Sequence, residues 1–177
     1  MEDLIAHLSS KIRRIPDFPK PGILFYDITT LLKDPAGFQE TIDLLALPWL
    51  EERPDYILGI DARGFILASA LAYKLNTGLV VVRKRGKLPF KTESVRYALE
   101  YGEAEIEIHV DAVEKDKRVL IVDDLLATGG TAWAAVELVR KTGGIPIGTA
   151  FVIELTGLGG REKLKPLRVE SLLKLPA

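Results

Sequence analysis

The chain has 177 residues, 47% hydrophobic and 28% charged, with a formal net charge of −1. A domain of this size buries about 70% of the surface its unfolded chain exposes, so the length predicts one domain, 1–177, with a full core, and the near-neutral charge argues against nucleic-acid binding. Without cysteine there are no disulfides and no thiolate metal sites. His7 and His109 lie too far apart in sequence to suggest a zinc set, and no apolar run is long enough for a signal peptide or a membrane span, so a cytoplasmic protein is expected.

Leu4, Ile5, Leu8, Ile12 and Ile15 fall at helical spacing, which predicts a first helix ended by Pro16. Residues 16–22, with three prolines, make a stiff crossing into the short apolar strand Ile23–Asp27. Asp34-Pro35 is a helix start, with Asp as cap and Pro at the first position. Phe38, Ile42 and Leu45 give that helix its buried face, and Pro48 closes it. Tyr56–Ile60 reads as a buried strand running through Asp61-Ala62-Arg63-Gly64 into a helix from Phe65 to about Leu75. A small loop with one arginine at a helix start suits an anion. Asn76-Thr77-Gly78 ends the helix, and Leu79–Val82 is the next strand.

From Arg83 to Arg96 six basic residues, among them Arg83, Lys84 and Lys87, stand against one acid, Glu93. Gly86 and Pro89 predict irregular structure, and the charge predicts a mobile anion-binding flap. Residues 97–102 and 106–110 then read as a hairpin. In its second arm Glu105, Glu107 and His109 alternate with Ile106, Ile108 and Val110, which predicts a solvated polar face.

The central stretch is Val119–Thr131. Val119-Leu120-Ile121-Val122 has the continuous apolar run of a strand buried on both faces. Asp123 and Asp124 follow, then Ala127-Thr128-Gly129-Gly130-Thr131, then a helix to Lys141 with Ala135, Val136 and Val139 inward and Gly143-Gly144 as its stop. Ligands of open α/β sheets bind beyond the carboxyl ends of the strands. The glycines let backbone N–H groups approach an anion at a helix N-terminus, and the two threonines add hydroxyl donors. Carboxylates repel phosphate but accept from sugar hydroxyls. Phosphate at the loop and a diol at the acids describe a ribose 5-phosphate. Ile145–Ile153 is a further strand, residues 157–161 a turn, and Val169–Leu175 an edge strand. The alternation predicts an α/β fold with a parallel sheet.

The Val119–Thr131 stretch resembles the 5-phosphoribosyl-1-pyrophosphate (PRPP) motif of type I phosphoribosyltransferases. Ile15–Pro19, Pro21–Ile23, Asp61–Phe65, Arg83–Pro89, Leu99–Gly102, Glu154–Thr156 and Gly160-Arg161 extend the likeness along nearly the whole chain, toward the adenine-specific branch. The resemblance implies a parallel sheet flanked by helices, with a small N-terminal hood and a flexible flap. It implies transfer of phosphoribose from PRPP to adenine with Mg²⁺, giving AMP and pyrophosphate, in a homodimer. Asp123 and Asp124 would hold the ribose, and Ala127, Thr128, Gly129, Gly130 and Thr131 the 5-phosphate. Ala62, Arg63 and Gly64 would hold pyrophosphate, with Arg83, Lys84 and Lys87 above it. Leu24, Phe25 and Tyr26 would recognise adenine, and Glu100 would manage a purine proton, with Arg63 also catalytic. The family often has Arg where this chain has Tyr26. Two further readings keep the sugar site: transfer to another purine such as xanthine or hypoxanthine, and a non-catalytic PRPP sensor.

Overall fold

The computed structural model describes residues 2–98 and 102–177. Glu100 and its neighbours Leu99 and Tyr101 lie outside the described residues. Helix α1 (Glu2–Ser10) buries Leu8 but stops at Ser10 rather than at Pro16. Arg13–Pro16 is instead a strand, β1, paired antiparallel with β2 (Leu24–Asp27), with Ile15 opposite Phe25. The turn between them is clamped by Asp17, whose Oδ1 accepts the Gly22 N–H at 2.7 Å. Backbone pairing thus overrides the helical spacing of Ile15. A short helix, α2 (Thr29–Lys33), follows, which the sequence reading left out. Asp34 caps α3 (Pro35–Ala46) as expected, accepting the Gly37 N–H at 2.7 Å, a contact worth about 1 kcal/mol. Ile42 and Leu45 are buried beneath it, while Phe38 is half-buried.

The main sheet has β3 (Tyr56–Ile60), β4 (Gly78–Lys84), β5 (Thr92–Ala98), β6 (Glu103–His109), β7 (Arg118–Leu126), β8 (Ile145–Thr156) and β9 (Val169–Pro176), in spatial order β5-β6-β4-β3-β7-β8-β9. The pairs β4–β3, β3–β7, β7–β8 and β8–β9 are parallel, and β5 and β6 extend the sheet antiparallel. Helix α4 (Arg63–Leu75) buries Leu67, Ala68, Leu71 and Ala72 on one face of the sheet, together with α3. Helix α5 (Gly130–Lys141) buries Ala135, Val136, Leu138 and Val139 on the other. Each helix returns the chain to a parallel strand, as a crossover must.

The hairpin differs from the sequence reading. Its first arm is β5, starting at Thr92, and the register pairs Thr92 with His109 and Ala98 with Glu103. The last five residues of the expected irregular flap, Thr92–Arg96, are therefore edge strand, and Val95 and Tyr97 of that strand reach the core. The polar face of β6 is not solvated: Glu107 is 4% exposed, because residues 86–92 fold over it. Residues 157–161 also differ. Strand β8 leads straight into them through Thr156, and Gly160–Lys163 form a single helical turn, α6.

Candidate active site

From β3 the chain crosses by α4 to β4 on one side, and from β7 it crosses by α5 to β8 on the other. The neighbouring carboxyl ends of β3 and β7 thus flank a topological switch point, where open α/β sheets bind ligands. A cleft of about 210 Å³ lies there, lined by Arg63, Asp123, Asp124 and residues 125–132.

The cleft floor is the β7–α5 junction. Gly129 stands at the helix cap with φ 78°, a left-handed conformation that glycine adopts without steric cost. No side chain caps the first turn of α5. Its free N–H groups and the helix dipole make a ready anion site. Thr131 Oγ1 meets the Tyr97 hydroxyl at 3.1 Å, so β5 borders the same loop. Behind the loop stands α6: a Cβ on Gly129 would lie 2.8 Å from the Gly160 carbonyl oxygen, and one on Gly160 would collide with the Ala127 carbonyl. Arg161 locks α6 in turn, donating to both Glu154 oxygens, to the Val169 carbonyl and to Ser171.

The two acids have different surroundings. Asp124 is 6% exposed and accepts from Arg63 Nε at 2.5 Å. Asp123 Oδ1 accepts the Asp124 N–H at 2.9 Å. Burial first, and the Asp124 carboxylate second, push Asp123 well above the ordinary carboxylate range. Hydroxyl donors arriving beside such a group favour its ionised form. Gly64, on the first turn of α4, backs directly onto Asp123, since a Cβ there would lie 2.9 Å from Oδ1. The Asp61–Ala62 peptide of this loop is cis.

Arg63 extends from the acids to the hood. Its guanidinium lies 5.8 Å from the centre of the Phe25 ring, which also meets Phe18 edge-on at 5.2 Å. Phe25 is half-buried and stands outside the two buried clusters of the core. The neighbouring side chains point the other way. Leu24 packs on the core, and Tyr26 is 7% exposed with its hydroxyl donating to the Pro176 carbonyl at 3.0 Å. The side chain of Tyr26 is therefore committed to the C-terminal strand, and only the Tyr26 backbone is left to meet a ligand.

The structure brings together Arg63, Asp123, Asp124, Ala127, Thr128, Gly129, Gly130 and Thr131. It does not place Arg83, Lys84 or Lys87 on the cleft wall. Lys84 and Lys87 are exposed. Arg83 donates to Asp61 at 3.1 Å and to the Lys87 carbonyl at 3.3 Å, which ties the basic loop to the loop of Arg63. Asp61, Tyr97, Glu107 and Gly160 had no role in the sequence reading. Asp61 and Gly160 stood inside recognised motifs, whereas nothing local marks Tyr97 or Glu107.

The phosphoribosyl transferase domain model matches residues 27–171. The chain is 57% identical over 166 residues to an adenine phosphoribosyltransferase of Koribacter versatilis, covering 94% of this chain and 91% of that one. The crystal structure of adenine phosphoribosyltransferase from Rhodothermus marinus superposes with a TM-score of 0.94 at 47% identity, covering 99% and 100% of the two chains. The Saccharomyces cerevisiae enzyme, solved with an imino-altritol bisphosphate and adenine, gives 0.93 at 39% identity, covering 98% and 100%.

Proposed function

The chain belongs to the phosphoribosyltransferase family, with its type I fold, and from that premise we propose that it transfers the 5-phosphoribosyl group of PRPP to adenine, releasing AMP and pyrophosphate in purine salvage. One observation carries the reading: an uncapped helix N-terminus, two acids and an arginine share one cleft at the switch point.

The residues divide the substrate by chemistry. Residues 127–131 take the 5-phosphate with N–H and hydroxyl donors. Asp123 and Asp124 accept from the ribose hydroxyls, and their negative charge offsets the positive charge that builds on the ribose as the anomeric bond breaks. Arg63, with Ala62 and Gly64 beside it, faces the leaving pyrophosphate, and Arg83, Lys84 and Lys87 add positive charge at the loop above. Phe25 offers its ring face to the purine, while backbone groups of Leu24 and Tyr26 read the base edge. Glu100 keeps its proposed part as the proton-handling group on the purine, on the strength of the family motif. No covalent nucleophile is needed.

Mg²⁺ belongs to the same proposal. Among the described residues no three His, Asp or Glu side chains gather to hold a metal, and one of the two carboxylates in the cleft is engaged by Arg63. That donor set fits an ion that arrives on PRPP and keeps phosphate and water as its main ligands. Bound so, the ion neutralises charge on the pyrophosphate.

A homodimer in the cytoplasm completes the proposal. Ile66 and Tyr73, 46% and 91% exposed, share the outward side of α4. Tyr73 also lines a groove of about 320 Å³ between α3 and α4, together with Phe38 and Ala70. An apolar surface of this kind suits a second copy of the chain. The activity is tested with purified protein, PRPP, Mg²⁺ and each nucleobase in turn. AMP formation from adenine, well above nucleotide formation from hypoxanthine, guanine or xanthine, is the expected result. Equal use of an oxopurine overturns the base assignment. PRPP binding without turnover of any base marks a sensor instead.

A further inference from the structure

Glu107 is a buried carboxylate, 4% exposed, on a strand that contributes nothing to the cleft wall. Its Oε1 accepts the N–H groups of Lys87 and Leu88, both at 3.0 Å, and its Oε2 accepts the Thr92 hydroxyl at 3.2 Å. Burial alone would raise its pKa. The donors from Leu88, Thr92, Lys87 and Gly86 more than offset burial and hold it below the ordinary range. An acid this deeply buried and satisfied almost wholly by loop donors acts as a clamp on that loop.

The clamped loop is the basic one. The Lys87 carbonyl accepts from Arg83 Nη1 at 3.3 Å, and Arg83 Nε donates to Asp61 Oδ2 at 3.1 Å. Asp61 precedes Ala62-Arg63-Gly64. A continuous chain of contacts therefore runs from Glu107 through Lys87 and Arg83 to the loop proposed to hold pyrophosphate. The groups around residues 127–131 and the two acids are reached only at greater remove, through β5 from Thr92 to Tyr97, which meets Thr131, and beyond Ala62 through Arg63, which donates to Asp124. Cations on a loop bind a polyanion well only if the loop is ordered beforehand, because ordering it on binding costs conformational entropy.

We propose that Glu107 is a positioning residue that pre-orders the basic loop 85–91 for the pyrophosphate end of the substrate, the end its direct contacts serve. This rests on the assignment of pyrophosphate to Arg63 and the basic loop. The consequence is a split. Loss of the clamp weakens pyrophosphate binding far more than AMP binding, because AMP uses the phosphate loop and the two acids, which Glu107 does not touch directly. Geometry rather than charge carries the effect. A glutamine retains one oxygen for the two N–H groups, and its amide can donate to the Thr92 hydroxyl.

Calorimetry on the full chain tests this, with Mg-pyrophosphate and AMP as separate probes against wild type, Glu107→Ala, Glu107→Gln, Thr92→Val and Lys87→Ala. Glu107→Ala is expected to raise the Kd for pyrophosphate on the order of tenfold or more while the Kd for AMP stays within about twofold. Glu107→Gln should restore pyrophosphate binding to within about threefold of wild type. Thr92→Val, which removes one donor and is the variant to read if Glu107→Ala does not fold, should show the same selectivity at smaller size. Equal losses for both probes, or none in either Glu107→Ala or Thr92→Val, overturn the proposal. Lys87→Ala separates the two levels. If it weakens pyrophosphate binding and the clamp variants do not, the clamp is wrong and the loop assignment stands. If Lys87→Ala has no effect either, the loop assignment itself falls.

Discussion

Gly160→Ala tests whether the phosphate loop is held from behind. The residue touches no proposed substrate group, yet an added Cβ would sit well inside contact distance of the Ala127 carbonyl and 2.9 Å from Leu126 Cδ1. Carbon–oxygen contacts run about 3.3–3.6 Å, so the two backbones must part by on the order of 1 Å. Helix α6 cannot easily yield, since Arg161 ties it to Glu154, Val169 and Ser171, so the loop moves instead. A displacement near 1 Å costs about 10²-fold when it misplaces a reacting group, and overpacking costs about 1–3 kcal/mol of stability, or roughly 2–12 °C in Tm for a chain of this size. The assay is kcat/KM for PRPP at saturating adenine, with AMP affinity by calorimetry and Tm alongside. We expect a loss of about 10²-fold in kcat/KM for PRPP and a matching loss of AMP affinity. Wild-type affinity for both ligands in a folded variant would show that α6 does not set the loop.

Three other perturbations report on separate parts of the site. Asp124→Asn removes a charge-assisted bond to Arg63, worth about 1.5–3 kcal/mol, and should lower kcat/KM for PRPP by about 10- to 100-fold; an unchanged value in steady-state kinetics removes Asp124 from the sugar site. Glu100→Gln should lower the single-turnover rate by about 10²- to 10⁴-fold with PRPP affinity intact, and a normal chemical step would reduce Glu100 to a positioning role. Glu105 is held down to about 2 by the Ser94 hydroxyl and then by Arg85 and Arg96. Its folded-state pKa lies below its unfolded one, so its contribution to stability is full above about pH 4.5 and is lost as pH falls toward 2. The stability difference between wild type and Glu105→Gln, measured by denaturant titration, should therefore be flat from pH 5 to 7 and change through that acid window. A difference independent of pH would mean that the ion pairs contribute nothing.

The parts of the site that were legible in the sequence are those whose chemistry is local. Strand β7 announces itself as an unbroken apolar run, Asp123 and Asp124 follow within the same strand, and the glycines sit at the helix N-terminus. Asp34 and Pro35 mark a helix start for the same reason. What escaped is set by partners distant in sequence. Ile15 fits a helical stripe until β2 arrives to pair with it. Glu107 alternates with buried isoleucines and so reads as solvated, and only the folding of residues 86–92 over β6 makes it a buried acceptor. Thr92 and Val95 carried the β signal of the edge strand, but the surrounding basic residues, Gly86 and Pro89 outweighed it. Gly160 gives no local sign that it buttresses Ala127, and the direction of Tyr26 toward Pro176 is legible only in three dimensions.

The most direct test of the account is a crystal structure of the protein with AMP and Mg-pyrophosphate. The 5-phosphate is expected on the N–H groups of residues 127–131, the ribose hydroxyls on Asp123 and Asp124, the purine against Phe25 and the pyrophosphate at Arg63 beneath the basic loop. A nucleotide phosphate bound away from residues 127–131, or a purine bound away from Phe25, would contradict it.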